Sequence, residues 1–268
     1  MNWAAIVIDL DPNVARIGGF LITWHGIFSV LGILATIRVG QVLIRADGVR
    51  GEQVWDVAGW MVLIGLIGAR LLYVWENYQQ FVGQWQHIFY VTEGGISQWG
   101  GLFGAMVGGI YGSARQKVSF WRVLDAAGPG AMLGLAIGRI GDIINGEHHA
   151  TPTNLPWAVE YVNPHTLAQP FLPVHPEVAY ELLWCLLLLA VLLPFHSRLR
   201  RALPPGVIGL LYMSLYAFGR FWLSYVRINS LVFGLRQAQW ASLLMIAIAV
   251  VVIPLLLLRQ RRAAVSAA

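Results

Sequence analysis

Three polar side chains recur along the stretch GRIGDIINGE, residues 138–147: Arg139, then Asp142 three positions on, then Asn145 three beyond that, with Glu147 following. On a continuing helix this spacing brings neighbouring members of the trio together along a slowly turning face. A guanidinium so placed can bind an anion through its planar fork, or can simply pair with Asp142 and cancel. Arg220, in YAFGRFWLSYVR, has Tyr216 and Ser224 four residues away and no acid within a helical turn. An external anion, such as a phosphate, is therefore its expected partner. Arg70, in GLIGARLLYVWEN, has Glu76 nearby but off a pairing interval, so packing and binding are equally open. His25, in ITWHGIFSV, can titrate or donate a hydrogen bond, or can be purely structural. His148 and His149 beside Glu147 lack the further spaced ligand that a metal site needs.

These groups must be carried by membrane helices. Of the 268 residues, 57% are hydrophobic and 12% are charged, against roughly 25% charged in a soluble domain. Seven segments approach the length of about 20 apolar residues that a bilayer core requires: 18–40, 54–75, 96–114, 123–145, 177–196, 205–226 and 238–258. The third and fourth are diluted by glycines at helical spacing, Gly100, Gly104, Gly108 and Gly112 in one and Gly130, Gly134 and Gly138 in the other. Small residues at that interval let helix backbones approach closely. Arg70, Arg139 and Arg220 all fall in or at the edge of spans, where an arginine costs about 2.5–3.5 kcal/mol to insert. Each needs interior partners, water or an anionic ligand.

The net charge of +5 does not indicate nucleic acid, because the basic residues track the membrane. Arg38, Arg45 and Arg50 follow the first span, and Arg115, Lys117 and Arg122 separate the third from the fourth. Arg198, Arg200 and Arg201 follow the fifth, and Arg259, Arg261 and Arg262 follow the last. The positive-inside rule then predicts an outside amino terminus and a cytoplasmic carboxyl terminus. Asp9 and Asp11 stand where a signal peptide has basic residues, so the first span is expected to be retained. Cys185, the single cysteine, lies within LLWCLLL; it excludes a disulfide framework and is read as packing. No internal repeat is visible, and one membrane domain over 1–268 is the simplest organisation. The segment 148–176 is expected at the outer surface; its six prolines argue against a long helix, and WAVEYV suggests a short strand or a surface-lying element.

Several stretches, in order, resemble the bacterial prolipoprotein diacylglyceryl transferase family over nearly the whole chain. GRIGDIINGE is similar to that family's signature G-R-x-G-N-x-x-N-x-E, supported by TWHG at 23–26, GGISQWGGLFG at 94–104, HPEVAYE at 175–181 and YAFGRFWLSYVR at 216–227. HPEVAYE by itself reads as a helix start. The resemblance implies an integral enzyme that moves the diacylglyceryl group of phosphatidylglycerol onto the lipobox cysteine of a preprolipoprotein, with a thioether formed and glycerol phosphate released. It implies Arg139 on the lipid head group, and Arg220 completing the anion site and helping to expel the phosphate. Asn145 and Glu147 would bond the glycerol or orient Arg139, and Tyr216 would support Arg220. Asp142, Arg70, Trp99, Gly100, Gly101 and Arg227 are the further positions expected to contact substrate. The partners implied are the phospholipid, the signal peptide and the bilayer, with no metal or diffusible cofactor and no nucleic acid.

The chain departs from the family pattern in telling places. Trp99 stands where the family has histidine, His25 where it commonly has tyrosine, Asp142 where the signature has its first asparagine, Ala150 where a glycine usually follows the signature, and Ser224 where an acid lies one turn beyond Arg220. In one account His25 or Asp142 takes over polarisation of the incoming thiol. In the other the chain is a divergent paralogue that keeps the lipid site and has lost or changed the reaction. A transporter and a lipid-binding scaffold are the remaining classes.

Overall fold

The computed structural model describes residues 5–18, 20–89, 95–146 and 149–266. The chain is all-helical apart from short ribbons. After β1 (Ile6–Ile8), β2 (Asn13–Ile17) and β3 (Phe20–Thr23) come α1 (Trp24–Ile44), α2 (Gly51–Glu76), a single turn α3 (Tyr78–Phe81), α4 (Gln98–Arg115) and α5 (Phe120–Asn145). Strand β4 (Val159–Tyr161) precedes α6 (Glu177–Leu192), α7 (His196–Ala202) and α8 (Val207–Leu223); β5 (Leu231–Val232), β6 (Leu235–Arg236) and α9 (Gln237–Ser266) close the chain. Among the described residues six helices are long and apolar enough to cross a membrane: α1, α2, α5, α6 running on through α7, α8 and α9. Their outward faces carry large apolar side chains such as Leu66, Leu183 and Val250, which a lipid solvent accepts while each helix satisfies its own backbone.

The start of one span differs most from the sequence expectation. The first span was expected from residue 18, but Phe20–Thr23 pairs antiparallel with Asn13–Ile17, and the helix begins only at Trp24. Thr23 fixes that start, its Oγ1 accepting the Gly26 N–H at 3.1 Å, the N-cap bond of a helix. Hydropathy cannot separate an apolar hairpin from an apolar helix. Within the fifth span α6 ends at Leu192, where Pro194 lies in the tight turn Leu193–Phe195 that leads on into α7, so the crossing segment runs from Glu177 to Ala202.

The chain divides into two compact units, one of residues 1–39 and 124–268, the other of residues 40–123. In the first, Met132 and Ala136 of α5, Cys185 and Leu188 of α6, and Ile208 and Tyr212 of α8 form the buried core. Cys185 is fully buried there, as a packing residue. Gly134 of α5 meets Gly32 of α1 so closely that a Cβ on either would strike the other's backbone, and Thr36 Oγ1 donates to the Gly130 carbonyl at 3.1 Å. At the opposite end of α5, buried Asp125 accepts the Gly206 and Gly209 N–H groups at 2.8 and 2.9 Å, so one helix caps the amino terminus of another, α8.

The segment after α5 is a compact cover. WAVEYV does form a strand: β4 pairs in parallel with β1, and Val159 also exchanges backbone hydrogen bonds of 3.0 and 2.9 Å with Val174. In the second unit, α2 and α4 pack through their glycines. A side chain at Gly100 would collide with the Gly68 carbonyl, and one at Gly104 with the Ile64 carbonyl.

Candidate active site

Arg139 lies two turns from the end of α5, and its guanidinium is shared between two acids. Nη1 donates to Asp142 Oδ2 at 2.5 Å, and Nη2 donates to Glu181 Oε1 of α6 at 2.7 Å. The helical spacing of GRIGD therefore makes the Arg139–Asp142 pair, but the pair does not close on itself. The other oxygen of Asp142 lies 2.6 Å from His25 Nδ1, in the first turn of α1. Asp142 is 5% exposed and His25 42% exposed, so a buried carboxylate holds a half-exposed imidazole. Gly141, one position earlier, permits this approach, since a Cβ there would meet the His25 backbone.

Arg220 corrects an expectation. It was read as lacking an acid, yet Nη1 donates to Glu177 Oε1 at 2.5 Å and to Glu181 Oε2 at 3.0 Å. Its partners come from the neighbouring helix α6, which a search for acids within a turn of α8 cannot see. Glu181 is the hub: Oε1 also accepts the Tyr216 hydroxyl at 2.5 Å, so Tyr216 supports Arg220 through that carboxylate. Arg227, just past α8, lies 3.6 Å from Glu177 Oε1. Burial, and then the charge of Arg220, hold the Arg227 guanidinium below its ordinary value. Glu177 and Glu181, a turn apart on α6, are thus members that sequence reasoning took only for a helix start. Their signal was two acids at an i, i+4 interval at the edge of an apolar run.

Three arginines, Arg139, Arg220 and Arg227, face three acids, Asp142, Glu177 and Glu181. When all are ionised their charges balance, which is how the insertion cost is met. An anion must then be recognised by directed donors rather than by excess charge. Arg220 has such donors: its bonds run through Nη1, and among the described residues Nε and Nη2 have no partner. That edge of a guanidinium is the one that grips two oxygens at once.

The end of α5 is locked by the cover. Leu167 N–H donates to the Asn145 carbonyl at 3.1 Å, and the Tyr161 hydroxyl donates to the Ile143 carbonyl at 2.8 Å. Burial, then the Asp142 charge, push the Tyr161 phenol up to about 12, which keeps it a donor. Gly146 ends the helix in the left-handed region, φ +68°, against Thr166 and Ala168. Asn145 is buried beside Asp142, while Glu147 lies outside the described residues.

Arg70, Trp99, Gly100 and Gly101 belong to the other unit. Arg70 staples the loop before α4, donating to the carbonyls of His87, Ile88 and Gly95 at 2.5, 2.7 and 2.7 Å, with the Tyr73 and Phe81 rings 5.6 and 5.5 Å from its guanidinium. Gly100 is held against Gly68 by helix packing.

Residues 12–255 match the family described as prolipoprotein diacylglyceryl transferase. The chain is 38% identical over 237 residues to the phosphatidylglycerol–prolipoprotein diacylglyceryl transferase of Gloeobacter violaceus, covering 87% of each chain. It is 32% identical to the protein of that name from Acaryochloris marina, over 97% of this chain and 96% of that one. A Streptomyces coelicolor protein, phosphatidylglycerol–prolipoprotein diacylglyceryl transferase 1, is 34% identical over 94% of this chain and 74% of its own length.

Proposed function

Because the chain belongs to the prolipoprotein diacylglyceryl transferase family, we propose that the balanced cluster of α5, α6 and α8 is where it takes the diacylglyceryl group from phosphatidylglycerol. It is a multi-pass membrane transferase of lipoprotein maturation. The acceptor is the lipobox cysteine of a preprolipoprotein, reacting as its thiolate, and the bond change at carbon is a single substitution. The thiolate attacks the glyceryl carbon that bears the phosphate; the C–S bond forms, the C–O bond breaks, and glycerol phosphate leaves with the bonding pair. Enzyme groups must therefore stabilise charge that grows on the leaving phosphate.

The single observation that carries this reading is Arg220, anchored by two acids through Nη1 and offering Nε and Nη2 as a paired donor edge. Arg139 is the second phosphate donor, freed toward the lipid by exchange of one of its two acid partners. Arg227 borders the same acids and adds positive charge. Asn145, Asp142 and Glu147 serve the glycerol hydroxyls or orient Arg139, and Tyr216 fixes the hub. Arg70 shapes the loop that leads to Trp99, Gly100 and Gly101, which we assign to the peptide and lipid path.

The whole chain acts as one transferase domain in the bacterial cytoplasmic membrane. Seven crossings, with the amino terminus outside, fit its charges best. An 18-residue α4 spans about 27 Å at 1.5 Å per residue, close to a bilayer core. If it crosses, every basic cluster lies on the cytoplasmic side and the cluster of Arg139 and Arg220 opens outward, with 148–176 as the surface arm where exported peptides arrive. The reading is tested with phosphatidylglycerol labelled in its head-group glycerol. Lipobox peptide should release water-soluble labelled glycerol phosphate, and Arg220→Ala should stop the release; release that ignores both the peptide and the variant would overturn it.

A further inference from the structure

Any transfer to a cysteine needs the thiol proton removed, since the thiolate is the nucleophile and a free thiol with a pKa near 8.5 is mostly protonated at neutral pH. Arginine is a poor acceptor of that proton, because it stays charged. The acids of the cluster are each held by guanidinium groups, Glu181 by Arg139 and Arg220, and Glu177 by Arg220. Tyr161 and Tyr216 spend their hydroxyl hydrogens on Ile143 and Glu181. His25 is built differently. Its Nδ1 meets Asp142 Oδ1 at 2.6 Å, and an ionised carboxylate only accepts, so Nδ1 carries the hydrogen and the neutral ring's basic lone pair lies on Nε2.

We propose that His25 is the general base that takes the thiol proton on Nε2, and that Asp142 is the positioning residue that orients it while anchoring Arg139 with its second oxygen. This rests on the transfer reaction proposed above and names the group that activates its protein substrate. In the step, the S–H bond breaks, Nε2 gains the proton, and the imidazolium is stabilised by Asp142 as sulfur attacks carbon. Product release returns the proton to solvent. One buried carboxylate then joins the two halves of the reaction, with thiol activation on Oδ1 and phosphate recognition through Arg139 on Oδ2.

His25 and Asp142 are 117 positions apart in sequence and in hydrogen-bond contact in space. The charged and titratable groups that meet Asp142 besides His25 include Arg139 from α5 and Tyr161 from β4. Neither competes for the proton, the first being a cation and the second a hydroxyl bound to Ile143.

The test compares full-length wild type, His25→Ala and His25→Asn in phosphatidylglycerol-containing micelles with a lipobox peptide. Asparagine can place an N–H near Nδ1 and keep the Asp142 bond, yet cannot act as base. Both variants should lose about 10²- to 10⁴-fold in kcat, the usual worth of a general base, while phosphatidylglycerol binding stays within a few-fold. Added imidazole should restore part of the His25→Ala rate, and the deficit should narrow as pH rises toward the thiol's own pKa. Wild-type rates in His25→Asn would overturn the proposal, as would a loss that neither imidazole nor alkaline pH relieves. Absence of transfer in the wild type, by contrast, would overturn the reaction itself.

Discussion

Glu177, the first residue of α6, places its Oε1 2.5 Å from Arg220 Nη1 near the end of α8. It supplies that arginine with a carboxylate from a neighbouring helix, a role that Ser224, one turn beyond Arg220, does not take. Ser224 instead turns its hydroxyl back to the Arg220 carbonyl at 2.7 Å. Both members of the pair are largely buried, so losing Glu177 leaves Arg220 to Glu181 and one positive charge of the cluster uncompensated. Glu177→Ala should cost about 3–5 kcal/mol, the range for breaking a buried pair. Thermal unfolding in detergent would show it as a lowered midpoint; an unchanged midpoint would mean that Glu181 alone satisfies Arg220.

Arg139 and Arg220 differ from lysine in having a planar fork. Arg139 reaches Asp142 and Glu181 with separate nitrogens, a geometry an ammonium cannot reproduce. Arg139→Lys and Arg220→Lys should each weaken phosphatidylglycerol binding by roughly ten- to hundredfold, the loss of a charged hydrogen bond of about 1.5–3 kcal/mol. Binding titrations with labelled lipid would measure it, and equal affinities would show that charge alone suffices.

Gly146 is required by conformation and by space. Its φ is +68°, and a Cβ would lie 2.5 Å from Thr166 Oγ1 and 3.0 Å from Ala168 Cβ. Gly146→Ala should therefore cost about 1–2 kcal/mol for the left-handed backbone, with a further steric cost of about 1–3 kcal/mol. Both stability and transfer should fall, because the strain enters at Asn145. A variant as stable as wild type would show that the cover yields easily.

Tyr161 gives a signed pH dependence. Its phenol is pushed from the usual value near 10 up to about 12, first by burial and then by Asp142. Between those values the folded chain holds a proton that the unfolded chain has lost. Stability contributed by this group is thus complete below about 10 and declines as pH rises toward 12. Denaturation midpoints measured from pH 9.5 to 11.5 should fall more steeply for wild type than for Tyr161→Phe; parallel slopes would contradict the assignment.

Six of the seven expected membrane helices were legible because apolar runs of sufficient length have few alternatives, and WAVEYV, read as a strand or a surface-lying element, is a strand. The hairpin that precedes α1 was not legible, since its Phe20–Thr23 strand is as apolar as the helix it feeds. Within the site, Arg139 with Asp142 could be read from helical spacing. The acids of Arg220 could not, because proximity within one helix says nothing of what a neighbouring helix contributes. The pairing of His25 with Asp142 was hidden by sequence distance, although both were conspicuous as departures from the family pattern.

The central claim is transfer of a diacylglyceryl group to cysteine, and the peptide itself reports it. Purified protein should be incubated with phosphatidylglycerol of defined acyl chains and a lipobox peptide, and the peptide analysed by mass spectrometry. The account predicts a mass gain equal to the diacylglyceryl group, located on the cysteine and absent when that cysteine is serine. Intact lipid binding with no mass gain on the cysteine would contradict it.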